Sequence, residues 1–282
     1  MAEASAVRPQ SDGLRRFYWL AVALVTSVGV FLFLLSGETE RLFAWTIEPP
    51  LTAAFLGANY WAAFFLAFLS ARERVWANAR ITYAVSIVFI TLTMVATLLH
   101  LDKFNFDNVN GWLWTVVYVG VPPLLLYLIV AQLRLPGGDP PRSHPIERAL
   151  APLIVLQLAV VLVVGLALFV APSTSDDLWP WTLTPLTSRA VGAWLLALAA
   201  GLASTLYERD WRRIRVAVPT FAAMPALQTI ALARYSDTVD WTSASLWCYL
   251  AYLASLLALG VYGLFRIAAT RERSATSRIV TA

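Results

Sequence analysis

Residues 51–70 read LTAAFLGANYWAAFFLAFLS, an uncharged run closed by Ala71-Arg72-Glu73-Arg74. A helix rises about 1.5 Å per residue, so some 20 apolar residues span a hydrocarbon core of about 30 Å. This run has that length. Working outward from it, seven further segments meet the same criterion: Phe17–Leu35, Ile81–Leu101, Trp112–Leu133, Ala149–Ala171, Ala190–Leu206, Val216–Ala233 and Ser245–Ile267. An amphipathic core helix would place polar residues at every third or fourth position, and these segments do not. Composition agrees, with 59% hydrophobic residues and 13% charged, against about 25% charged in soluble domains. The expected fold is all-α, a polytopic integral membrane protein of eight transmembrane helices.

Arginine sets the expected orientation. Of 21 basic residues all but Lys103 are arginine. Alternate connectors place 17 of them on one side with eight acids, and four on the other (Arg41, Lys103, Arg189, Arg234) with nine, Asp176 and Asp177 among them. Basic residues resist translocation, so the first side is read as cytoplasmic and both termini with it. That predicts residence in a bacterial plasma membrane, with the arginine-rich turns against anionic inner-leaflet lipid. Nucleic acid is a poorer partner for these arginines, which sit close to helix ends. The first segment resembles a signal peptide in its preceding Arg15 and Arg16. Its length, and the absence of a small-x-small cleavage site, favour a retained helix. Cys248 is the sole cysteine, so no intrachain disulfide is available.

The segment Phe43-Ala-Trp-Thr-Ile-Glu-Pro49 lies over Trp179-Pro-Trp-Thr-Leu-Thr-Pro185, matching Trp45, Thr46 and Pro49 to Trp181, Thr182 and Pro185 at an offset of 136. The same offset places Gly29 on Gly165 and Phe33 on Phe169. After Pro50 the offset becomes 135 and stays there. Gly57 then falls on Gly192, Glu73-Arg74-x-Trp76 on Glu208-Arg209-x-Trp211, Arg80 on Arg215, Asp102 on Asp237, and Trp112 on Trp247. With 12 Trp in 282 residues, a chance Trp match is about 4% per site. The reading is two tandem four-helix repeats. Because four is even, they enter the membrane in the same direction and form parallel repeats about an axis along the membrane normal. The expected divisions are an N-terminal tail (1–16), a first unit (17–133), a Pro/Gly-rich linker (134–148), a second unit (149–268) and a C-terminal tail (269–282).

Matched residues point to three connectors. Trp45 and Pro49, with Trp181 and Pro185, read as interfacial anchors and helix starts. A sharper alternative is a half-helix whose N-terminus faces an anion beside Arg189. Glu73 and Glu208 read as pairing with neighbouring arginines in tight turns. His100 and Asp102, with Arg234 and Asp237, bring charge to the outer surface, where loop capping competes with ligand binding. Mid-helix positions carry hydroxyls and amides such as Asn59, Thr97, Gln157 and Gln228, and no carboxylates or lysines. That argues against the usual proton-coupled carrier.

Function is open at this level. The first reading is a transporter-like or lipid- and small-molecule-handling protein. Its outward cleft would lie between the repeats, lined by Glu48, His100, Asp102, Arg189, Arg234 and Asp237. A non-catalytic membrane subunit, paired with another membrane protein or a second copy, is the alternative. An intramembrane enzyme ranks third, since no G-x-S-x-G, H-E-x-x-H or phosphate loop occurs. The sequence names no cofactor and offers no metal-ligand spacing.

Overall fold

The computed structural model describes residues 6–174 and 178–280, with only the backbone of Thr174 and of residues 270–280. Asp176, Asp177 and the extreme termini lie outside the described residues. Eight extended helices carry the rest: α1 (Asp12–Leu34), α2 (Pro50–Arg72), α3 (Trp76–Leu99), α4 (Val109–Leu133), α5 (Ala151–Val170), α6 (Pro185–Glu208), α7 (Val218–Arg234) and α8 (Ala244–Val280). No strand forms among the described residues. Seven of these helices are long and apolar enough to cross a membrane, as expected of a multi-pass membrane protein. The helix outside that set is α7, whose 17 residues rise about 26 Å. The sequence predicts a segment starting at Val216. Val216 and Ala217 instead lie in the turn after a one-turn helix, Trp211–Ile214, that Asp210 caps.

Local signals account for the helix ends. Ser11 accepts from the Leu14 amide to cap α1, and Thr184 caps α6 through the Thr187 amide. Pro50 and Pro185 open α2 and α6, where their missing N–H costs nothing. Pro122 and Pro123 lie inside α4, and Pro225 inside α7. The linker after Leu133 forms no long helix until the chain re-enters at Arg148.

The packing separates inner from outer helices. The pairs are α1 with α2, α3 with α4, α5 with α6 and α7 with α8. Across the middle, α2 packs on α7 and α3 on α6. In α2, 72% of the apolar stretch is buried, against 22% in α1 and α4, so α2 is central and the latter two face outward. Small residues make the inner contacts possible, as they do wherever membrane helices approach closely. A Cβ on Gly57 would lie 2.4 Å from the Phe33 backbone nitrogen, and one on Gly192 would lie 2.8 Å from the Gly165 carbonyl. Gly57 thus sets the α1–α2 crossing, and Gly192 the α5–α6 crossing.

The arginine-rich end is tied by a reciprocal clasp. Glu73, after α2, pairs with Arg215 before α7, and Glu208, at the end of α6, pairs with Arg80 in α3. Each carboxylate therefore reaches across the molecule: Glu73 does so in place of the neighbouring arginine that the sequence suggested, whereas Glu208 also keeps a partner in its own turn, Arg213. The reason is steric. Arg74 and Arg209 are exposed, whereas the carboxylates are buried and face the opposite turn. Arg213 adds a bond to Glu208 at 3.1 Å. Two extended segments cover the clasp. Gln10 donates to the Arg74 carbonyl and Trp76 to the Arg8 carbonyl. Likewise Ile146 donates to the Arg209 carbonyl and Trp211 to the His144 carbonyl.

Candidate functional site

The main cavity lies among α1–α4. It encloses about 630 Å³, within the roughly 300–1,000 Å³ typical of ligand sites. Its wall along α1 runs from Phe17 to Leu35, a rise of about 27 Å. The void therefore runs along most of the length of α1. It exists because α2 contributes Ala63 and Ala67, and because α1 and α4 join firmly at one end only. At the arginine-rich end, Gln132 of α4 accepts from the Ser11 amide at 2.7 Å and donates to the Pro9 carbonyl at 2.8 Å. Leu14 and Tyr18 pack there with Leu125. Further along, α1 and α4 part. Leu20 (56% exposed) and Leu113 (54% exposed) line both the cavity and the outer surface, and so mark the lips of a lateral slit.

The lining is almost wholly apolar, with few polar groups. Tyr18 donates to Ser86 at 3.0 Å near the arginine-rich end. Halfway along, the hydroxyls of Tyr60 and Tyr118 lie 2.6 Å apart, both residues buried. Around them stand Phe89, Trp114 and Trp194. The Phe89 and Trp194 rings are 4.0 Å apart, and Trp114 lies 4.3 Å from Tyr118. Trp114 donates to Thr97 at 3.1 Å. Sequence reasoning passed over both tyrosines. The available signal was their position, since tyrosine normally marks the interface and these sit mid-helix.

A second cavity, among α2 and α5–α8, holds only about 110 Å³. Its wall carries a hydrogen-bonded chain from Tyr249 to Gln228 (2.8 Å), Gln228 to Asn59 (3.0 Å) and Asn59 to the Phe55 carbonyl (3.0 Å). Trp194 lines both cavities. Asn59 and Gln228 thus form one buried contact between α2 and α7.

Neither cavity is lined by any of the six residues proposed for an outer cleft. Arg189 and His100 do meet, with Nη1 2.7 Å from Nε2. Burial, then the charge of Arg189, holds the His100 imidazole below its ordinary titration range. Arg234 donates to the Phe33 and Leu34 carbonyls and lies over the Tyr235 ring. Asp102 pairs with Lys103 at 3.0 Å, while Glu48 and Asp237 are exposed. The matched motif is structural in its contacts. Trp45 packs against Phe43, Phe104 and Trp114, and Trp181 donates to Thr52 at 2.9 Å. Pro49 caps α2 and Pro185 starts α6. The connectors before α2 and α6 hold only short helical turns, Thr39–Leu42 among them, so neither forms the anticipated half-helix among the described residues. No cluster of three His, Cys, Asp or Glu suited to a metal ion occurs among the described residues. Comparison with protein families, with curated proteins and with solved structures finds no match to this chain.

Proposed function

We propose that this protein binds a lipid-like molecule with a long apolar chain, taken up sideways from the bilayer into the cavity among α1–α4. The supporting observation is a void of about 630 Å³ that is nearly all apolar and runs along α1 from Phe17 to Leu35. A soluble polar substrate would need convergent polar groups, and the wall supplies few. An acyl or isoprenoid chain needs none. The reading keeps lipid and small-molecule handling, and moves the site from an outer cleft between halves to the inside of one half.

We further propose eight crossings, with α7 as a short crossing shielded by α2 and α8, and two parallel copies of a four-helix unit. The reciprocal helix pairs and the Glu73–Arg215 and Glu208–Arg80 exchange support this, since both follow the sequence offset. The arginine-rich end is then cytoplasmic, with exposed Arg72, Arg74, Arg209 and Arg212 against anionic headgroups.

The copies differ where the cavities differ. At the offset of 135, Ala63 and Ala67 correspond to Leu198 and Leu202. The first copy is therefore open where the second is filled. Carrying this difference across gives the test. The variant Ala63→Leu/Ala67→Leu is purified in a mild detergent, and its co-purifying apolar lipids are extracted and weighed by mass spectrometry against wild type. A chain lipid stoichiometric with wild type and depleted several-fold in the variant is expected. Equal lipid content in both defeats the proposal.

A further inference from the structure

We infer that the occupant of the first cavity is a quinone-type lipid, a flat ring with a carbonyl oxygen on a long hydrocarbon tail, held by the Tyr60–Tyr118 hydroxyl pair. The inference rests on the chain-binding reading above and adds what the ligand must carry.

The argument is a count of hydrogens. Two tyrosine hydroxyls bring two O–H donors, and the single contact between them, at 2.6 Å, uses one. Whichever residue donates, one O–H is left over. No other acceptor meets either hydroxyl among the described residues. Tyr60 is 3% exposed and Tyr118 7%, so the pair faces the cavity and not the outer surface. A buried donor without a partner is costly, and native structures rarely keep one without a use. Both residues line the cavity, so an acceptor oxygen on the occupant would complete the pair.

Depth narrows the ligand. Tyr60 lies ten residues into α2 from Pro50, about 15 Å along the axis, or roughly half the hydrocarbon thickness. The ester carbonyls of a diacyl lipid belong at the headgroup level. The acceptor must instead sit on a group apolar enough to lie in mid-membrane. The surroundings suit a ring, since Phe89, Trp114 and Trp194 give flat faces beside the hydroxyls and line the same void. Offset partners of Tyr60 and Tyr118 are Leu195 and Leu253, so the pair has no counterpart in the filled half.

The test uses full-length protein in nanodiscs, stripped of endogenous lipid. Binding of a tritiated prenylated naphthoquinone is competed with its unlabelled form and with a naphthalene bearing the same tail but no carbonyl. One neutral hydrogen bond predicts that wild type prefers the quinone by about fivefold to tenfold. Tyr60→Phe/Tyr118→Phe should bind both competitors with equal affinity. That variant keeps side-chain size and removes both partners together, and the competitor pair on wild type gives the answer independently of how it folds. Equal affinity of the two competitors for wild type overturns the carbonyl inference and leaves chain binding standing. If neither binds, and Ala63→Leu/Ala67→Leu changes nothing, chain binding falls as well.

Discussion

Removing one charge from the clasp, by Glu208→Gln or by Glu73→Gln, should have unequal effects. The Glu208 side chain is 2% exposed. It accepts from Arg80, including a 2.8 Å bond from Nη2, and from Arg213 Nη1 at 3.1 Å. Arg213 is itself 7% exposed. Breaking a buried pair from one side leaves uncompensated charge and costs about 3–5 kcal/mol. Asp139 remains 2.6 Å from Arg80 and 3.6 Å from Arg213, and the Pro140 carbonyl still accepts from Arg213. The expected cost is therefore at the lower end, about 3 kcal/mol. Glu73 faces Arg215, whose side chain is 34% exposed, so water screens that pair. A glutamine there also keeps an oxygen for the Arg74 and Val75 amides that Glu73 now serves. Its replacement should cost about 1 kcal/mol. Equilibrium unfolding in mixed detergent and SDS micelles measures both, and a cycle with Arg80→Gln isolates the coupling. Equal losses, or a larger one for Glu73→Gln, would show that burial does not govern the clasp as argued.

Four further outcomes follow from other contacts. Burial raises the Glu73 carboxyl, but Arg215 and the two amides outweigh it and hold the group below its ordinary value of 4.5. Its contribution should therefore be complete at neutral pH and decline as pH falls below about 4.5, seen as acid-side destabilisation absent from Glu73→Gln. Arg189→Gln should raise the His100 titration midpoint toward 6.5, read by imidazole NMR with His144 as internal control; a fall or no change counts against the contact. Thr52→Val leaves the buried Trp181 indole N–H unpaired and should cost about 1–3 kcal/mol in the same unfolding assay. Leu198→Ala should enlarge the second cavity, which Leu198 lines, and destabilise by about 2–5 kcal/mol, with an added apolar chain restoring part of the loss; restoration by none of a series of chains would argue that this cavity cannot be opened.

Apolar run length carried most of the fold. Hydropathy registers which residues avoid water, so the segments are visible in the sequence, and the prolines at 49–50 and 185 mark two of the helix starts. Partners across the molecule were not visible. Glu73 sits beside Arg72 and Arg74 in sequence, and nothing in that order says its oxygens point to Arg215. The extended segments at Arg8–Gln10 and His144–Ile146 were likewise read as tail and linker, because backbone pairing leaves little trace in side-chain identity. The cavity was hidden for another reason. Leu20 and Leu113 are equally apolar whether they face lipid or a void, so no hydropathy scale separates a helix that packs on its neighbour from one that leans away.

On the proposed two-copy reading, the position of the cavity follows from where the copies stop matching. Charges at the arginine-rich end and glycines at the crossings recur at the offset and build one frame on both sides. A frame of this kind could hold two identical voids, and it does not, because leucines at 198 and 202 stand where α2 has Ala63 and Ala67. The same inner wall exchanges a tyrosine for a leucine at position 195 and an asparagine for a tryptophan at position 194. Trp194 then closes the boundary between the voids, while Asn59 is free to bond Gln228 and fix α2 to α7. These departures bear on the first cavity, where the alanines leave space and the Tyr60–Tyr118 pair leaves a hydroxyl hydrogen over. On the proposed reading, a chain would enter between α1 and α4 and leave the α2–α7 and α3–α6 contacts across the middle of the bundle undisturbed.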